Sequence, residues 1–101
     1  NALYGPGEVE IKDGIAIFEA MTMTAVLEGA DAMVKAAEVD IVELRLGKGL
    51  AGKSFVTVTG ALQDLRAGMD AALEAVRNRG VLISSVILPS VDRELVRHLT
   101  G

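Results

Sequence analysis

The sequence contains no cysteine, so it offers no disulfide bond and no thiolate for catalysis, zinc or an iron–sulfur cluster. It has one tyrosine, two phenylalanines, no tryptophan and no run of basic residues, and its formal net charge is −4. These features argue against nucleic acid as a partner. No apolar run approaches the ~20 residues of a membrane-spanning helix. We therefore expect no cofactor, no metal site, no nucleic-acid partner and no membrane partner.

Half of the 101 residues are hydrophobic, which at this length predicts one domain with one core. Glycine, proline and charged residues dominate the start of the chain, "LYGPGEVEIKDG". We therefore expect residues 1–13 to form a leader or linker and residues 14–101 to form the domain. The absence of cysteine fits a reducing cytosol.

The stretch "GKGLAGKS" at residues 47–54 matches G-x-x-x-x-G-K-[ST], the pattern of a phosphate-binding loop. In such a loop the pattern opens a helix, because the N–H groups of the helix N-terminus hold the phosphates. Here "SFVTVTG" follows the pattern and "DIVELRLG" precedes it, and both alternate with the period of a strand. In the strand "DIVELRLG" we expect Val42, Leu44 and Leu46 on one face. The pattern therefore predicts a loop between two strands, and a nucleotide hydrolase is disfavoured.

The remaining segments predict two strands and two long helices. "IAIFEA" is typical of a buried first strand, and "VLISSVILP" of a last strand that ends at Pro89. The first helix begins after Thr22 or Thr24 and ends near Glu38, and the second helix ends by Gly80. Inward positions of the first helix are Val26, Ala30, Met33 and Ala37. Inward positions of the second helix are Leu62, Leu65, Met69, Leu73 and Val76.

The predicted order is β-α-β-β-α-β, which is the α+β, ferredoxin-like arrangement, with a short C-terminal helix formed by "DRELVRHL". Ser90 or Asp92 is the expected cap of that last helix. Two amphipathic helices cover one face of a four-stranded sheet, and the other face is only partly polar. We therefore expect other subunits to supply part of the burial.

Several stretches resemble the bacterial microcompartment (BMC) shell proteins. "IAIFE" followed by "EGADAMVKAAEVDIVE" is similar to the signature of that family, and "GLAGKSFVTVTG" and "ALQDLRAGMDAAL" continue it in the same order. The resemblance covers residues 14–92 and implies a structural shell protein in the bacterial cytoplasm rather than an enzyme. It implies hexagonal tiles of six copies, or of three if this is the second half of a tandem-domain protein. The implied partners are further copies, other shell proteins and small polar metabolites in transit.

The same resemblance assigns two candidate sites. The loop between the second and third strands lines a pore on the ring axis in this family, and by position that loop is Gly49, Leu50, Ala51, Gly52 and Lys53. Lys35 in "DAMVKAA" matches a lysine at the tile edge, although a solvated helix lysine is the simpler interpretation. Ser90 stands where the family usually has an arginine, which puts the edge contact in doubt. Repeated copies of Lys48 or Lys53 would put positive charge at the passage, and Lys53 is favoured because it borders the third strand. This predicts a pore that tolerates anions.

The other candidates are weaker. His98 is the only histidine, and a surface or packing role is expected because a metal site needs further ligands. Asp70 and Glu74 belong to a solvated, charged helix face together with Arg66 and Arg77. The four methionines are expected to fill the core. The alternative function is a ferredoxin-like regulatory domain that binds a small ligand between subunits.

Overall fold

The computed structural model of the chain describes residues 10–47 and 53–90. Six elements follow one another in the predicted order. They are β1 (Gly14–Ala20), α1 (Met23–Ala36), β2 (Val39–Arg45), β3 (Ser54–Gly60), α2 (Leu62–Val76) and β4 (Ile83–Pro89). The α+β, ferredoxin-like arrangement is thereby confirmed. The expected C-terminal helix lies outside the described residues.

The four strands form one antiparallel sheet in the order β2-β3-β1-β4. Phe18 of β1 stands opposite Val56 of β3 and Ser85 of β4, and this register fixes which residues share a face. Both helices pack against the face that carries Phe18 and Val56. We call the opposite side the helix-free face.

Three rows of side chains cross the helix-free face. The row nearest the β2–β3 loop is Ser84, Glu19, Phe55 and Arg45. The middle row is Val86, Ile17, Thr57 and Glu43, and the last row is Leu88, Ile15, Thr59 and Asp40. The β4 and β1 side of this face is therefore mainly apolar, and the β3 and β2 side is mainly polar.

The first described residues bind to this sheet. The N–H of Lys12 donates to Thr59 Oγ1 (2.9 Å), and the same hydroxyl donates to the carbonyl oxygen of Gly14 (2.7 Å). The N–H of Ser90 donates to the carbonyl oxygen of Asp13 (2.8 Å). Residues 12 and 13, which we expected to belong to a leader, thus continue the central strand β1 by hydrogen bonds to β3 and to Ser90. The division at residue 13 stays a prediction.

The core lies between the sheet and the two helices. Most of the inward helix positions are buried as expected, namely Val26, Ala30, Met33, Leu65, Met69 and Val76. The prediction for Leu73 was wrong, because Leu73 is 37% exposed and its neighbour Ala72 is fully buried. Met21 and Met23 are also exposed, so only two of the methionines, Met33 and Met69, fill the core.

The boundaries of the helices differ slightly from those predicted. Thr22 is the N-cap of α1, and its side chain accepts the N–H of Ala25 at 3.2 Å. Thr22 has an extended backbone, whereas Thr24 already lies within the helix. The helix ends at Ala36, because Ala37 already has an extended backbone. Gly80, the expected stop of α2, has a positive φ of 69°, although the helix itself ends at Val76.

Strand β2 departs from the predicted alternation. The pairing with β3 shifts between Ile41 and Glu43, which is an irregularity of the β-bulge type. As a result Ile41 and Leu44 share the helix side with Val58 and Val56, although neither is buried. The expected single face of Val42, Leu44 and Leu46 was therefore wrong, because one extra residue reverses the alternation beyond it.

Candidate functional site at the β2–β3 loop

The β2–β3 loop, residues 46–53, leaves the sheet at the edge where β1 ends and β4 begins. Its base is closed by a hydrogen bond from the N–H of Gly47 to Ser54 Oγ (2.9 Å). Lys53 is the one candidate pore residue within the described part of the chain. The other four, Gly49, Leu50, Ala51 and Gly52, lie outside the described residues.

Ser54 shows why the phosphate-loop pattern does not carry its usual chemistry here. Ser54 is the first residue of β3, is fully buried, and accepts a backbone hydrogen bond through its hydroxyl. In a phosphate-binding loop that hydroxyl ligates magnesium at the start of a helix. The prediction of a loop between two strands is thus confirmed.

Lys53 points toward Glu19, which precedes the last residue of β1. The Lys53 Nζ and Glu19 Oε1 atoms are 4.0 Å apart, and the two side chains are 63% and 34% exposed. Beside them lies a small open crevice of about 140 Å³. Its lining residues are Glu19, Ala20, Met21, Lys53, Leu82, Ile83 and Ser84. The hydroxyl residue Ser84 stands directly opposite Glu19 in the β1–β4 register.

A second cation flanks the other end of the loop. Arg45 ends β2, and its Nη2 lies 2.7 Å from Glu43 Oε2. Its guanidinium carbon also lies 6.0 Å from the centre of the Phe55 ring, at the outer limit of a cation–π contact. Each of the two cations at the loop base therefore has a carboxylate beside it.

Sequence reasoning missed Glu19, Ser84 and Leu82 as neighbours of the loop. One signal was present for Glu19, since it is the only charged residue in the strand "GIAIFEA". A lone charge in an apolar strand must reach water or a partner, because burying it unpaired is costly. Ser84 and Leu82 carried no such signal, because their proximity depends on the pairing of β1 with β4.

Lys35 lies in the last turn of α1. Its Nζ is 2.9 Å from Asp31 Oδ2 one turn earlier, and its side chain is 74% exposed. Since α1 begins near the loop edge and runs back across the sheet, its 14 residues separate the two ends by about 20 Å. The structure therefore does not bring Lys35 and Lys53 together.

The other sequence candidates form no site among the described residues. Arg66, Asp70, Glu74 and Arg77 are all exposed, as predicted for a solvated face of α2. No group of three or more potential metal-ligating side chains occurs within residues 10–47 and 53–90. No helix of this part is long and apolar enough to cross a membrane. His98 lies outside the described residues.

Large apolar side chains remain exposed on two neighbouring elements. Met23, Leu27 and Val34, spaced along one side of α1, are each 43–45% exposed, and we call them the α1 flank. Ile41 and Leu44 on the adjacent edge strand β2 are 37% and 38% exposed. Scattered single apolar residues are normal on a surface, whereas several on adjoining elements indicate a contact surface.

Comparison with known proteins gives a consistent result. The family model of the BMC domain matches residues 14–91. The bacterial microcompartment shell protein PduT of Citrobacter freundii is 26% identical over 98 residues, which cover 97% of this chain and 53% of that protein. The crystal structure of a microcompartment protein from Desulfitobacterium hafniense DCB is 32% identical, with a TM-score of 0.78. That match covers 88% of this chain and 49% of the solved one, so this chain spans about half the length of both relatives.

Proposed function

Because this chain belongs to the BMC domain family of bacterial microcompartment shell proteins, we propose that it is a subunit of a hexagonal shell tile. The proposed role is structural, in a shell within the bacterial cytoplasm, with a central pore for small polar metabolites. The observation that carries this proposal is the family match over residues 14–91, joined to the same fold in a microcompartment protein.

The exposed apolar side chains support assembly. Burying a large aliphatic side chain stabilises a protein by about 1.5–3 kcal/mol, and the α1 flank alone holds three exposed apolar residues. Strands β2 and β4 are the two edges of the sheet described here, and exposed edges favour covering by another chain. We propose that the partners are further copies of this chain and other shell proteins.

The number of copies in a ring depends on the length of the natural chain. Both relatives are about twice as long as this sequence. Six copies of this chain close a hexagonal ring, whereas a protein with a second such domain closes the same ring with three copies.

The β2–β3 loop is the proposed lining of the pore, formed by Gly49, Leu50, Ala51, Gly52 and Lys53. Glycine permits several backbones to converge on one axis because it has no Cβ atom. The described ends of the loop, Gly47 and Lys53, lie at one end of the sheet, which supports a position where copies meet. Lys53, at the base of the loop, brings a positive charge to the rim of the proposed pore.

Assembly is tested with a variant of the α1 flank. Leu27→Glu places a charge among apolar side chains at the proposed contact, and we expect it to reduce the ring mass to that of the monomer in light scattering. Gln63→Glu adds the same charge on an exposed position of α2 and is the matched control.

Electron microscopy of the concentrated parent protein should then show flat sheets or tubes of hexagonal rings. A monomeric mass for the parent across a wide concentration range would contradict the proposal. Saturable binding of a small ligand that joins such monomers into a dimer would instead favour the regulatory-domain alternative.

A further inference from the structure

We infer that Glu19 determines the charge selectivity of the passage, by neutralising Lys53 at its rim. This inference rests on the proposed function, because it requires the β2–β3 loop to face a pore. The expected tolerance for anions then depends on one carboxylate, because Glu19 offsets the positive charge of Lys53. Glu19 lies in β1, outside the pore loop itself.

The crevice lies at the end of the sheet from which the loop leaves. All of its lining residues lie at the end of β1, at the base of the loop, or at the start of β4. A solute that approaches the loop from this edge of the sheet therefore meets the crevice. Leu82, which is 78% exposed, and Met21, which is 43% exposed, form its apolar wall.

The described cations and carboxylates around the crevice balance one another. Among the described residues, four charged side chains lie near the loop base: Arg45, Lys53 and Glu19 flank it, and Glu43 of the middle row pairs with Arg45. Two are cations and two are carboxylates, so together they carry no net charge. An anion near Lys53 is also near the Glu19 carboxylate, 4.0 Å from the ammonium.

The carboxylate of Glu19 is held more firmly than the ammonium of Lys53. Glu19 is held in the central strand β1, with Phe55 on one side and Ser84 on the other. Its carboxylate is only 34% exposed, so it has less freedom than Lys53, which follows a loop. The carboxylate is thus a fixed counter-charge, and repetition around a ring multiplies its effect on a passing ion.

The test is the reversal potential of rings in a planar lipid bilayer, measured with a gradient of potassium chloride. Glu19→Gln keeps the shape of the side chain and removes its charge. We expect the chloride-to-potassium permeability ratio to rise by roughly two- to five-fold. Lys53→Gln should lower the ratio, and the double variant should lie close to the parent.

Glu74→Gln is the matched control, because it removes the same charge on α2, where Glu74 pairs with the C-cap residue Arg77. If the Glu19–Lys53 pair were merely structural, Glu19→Gln and Lys53→Gln would both change the conductance in the same direction. The chloride-to-potassium permeability ratio would then not shift in opposite directions in the two variants. If the parent conducts ions and Glu19→Gln has the same reversal potential as the parent, the inference is overturned and the proposed function stands. If the parent forms rings that conduct no ion, the pore and the inference both fall.

Discussion

At the scale of single residues, the packing of α1 on the sheet depends on one glycine. The ring of Phe18, fully buried in β1, lies directly under Gly29 of α1. A Cβ atom at position 29 would lie 2.4 Å from Cε2 of that ring. Gly68 occupies a comparable buried position in α2, yet a Cβ there would meet Met33 at an ordinary 3.6 Å.

Gly29→Ala should therefore lower the free energy of unfolding by about 1–3 kcal/mol, because the ring or the helix must shift to accept the methyl group. Gly68→Ala should change it by between zero and about 1 kcal/mol in the stabilising direction, since alanine has the higher helix propensity. Urea unfolding of the two variants beside the parent measures both effects. Equal stabilities for the two variants would show that the contact with Phe18 is not tight.

At the scale of elements, an ion pair joins α1 to the turn after α2. The guanidinium of Arg79 donates to both carboxylate oxygens of Glu28, from Nε at 2.8 Å and from Nη2. The N–H of Arg79 donates to the carbonyl oxygen of Val76 at 3.0 Å, which anchors the turn. The side-chain hydrogen bonds between Arg79 and Glu28 lower the pKa of Glu28 below its ordinary value of 4.5 and raise the pKa of Arg79.

This ion pair predicts a pH dependence with a definite sign. Because the pKa of Glu28 is lower in the folded than in the unfolded chain, the pair stabilises the fold above the unfolded pKa. That contribution is lost as the pH falls through the folded pKa. Glu28→Gln should therefore slightly lower the urea midpoint at pH 7, and the difference from the parent should vanish below the pKa range of Glu28.

Glu74→Gln is the control for this measurement, since its partner Arg77 is the C-cap of the same helix and the pair therefore joins no two elements. We expect it to change the midpoint less than Glu28→Gln does. A Glu28→Gln difference that persists unchanged in acid would show that the carboxylate's charge contributes nothing.

At the scale of the whole molecule, Lys53 of the proposed pore loop and Lys35 of the proposed tile edge lie at opposite ends of α1. This separation suits a tile, because a pore belongs at the centre of a ring and a lattice contact at its rim. Lys35 is 74% exposed and its ion pair with Asp31 lies within one helix, so such a pair adds little to stability. Its proposed role therefore depends on contacts between rings.

Lys35→Asp should leave rings intact and abolish extended sheets, because a reversed charge at a repeated contact is multiplied along the lattice. Arg66→Asp, a reversal on the exposed face of α2, should leave sheets unchanged. Light scattering reports the rings, and electron microscopy of concentrated protein reports the sheets. Sheets that persist in the Lys35 variant would return this residue to the role of a solvated helix lysine.

The order and type of the elements could be predicted from the sequence, because they follow from local periodicity. The alternation in "SFVTVTG" excluded a helix after the glycine-rich loop, and Ser54 is indeed in a strand. Val26 and Met33 were correctly assigned to the core, since their helical spacing leaves them on one side of α1. A local pattern of this kind needs no knowledge of distant residues.

Tertiary structure alone decided which residues of α2 face inward at its C-terminal half and which distant residues meet. Ala72 replaced Leu73 in the core because the position of α2 against the sheet and α1 sets its rotation. The bulge in β2 arose from pairing with β3, which no alternation within β2 reveals. Glu19 and Lys53 meet because β1 and β3 pair in one antiparallel register, and such a register is a property of two strands together.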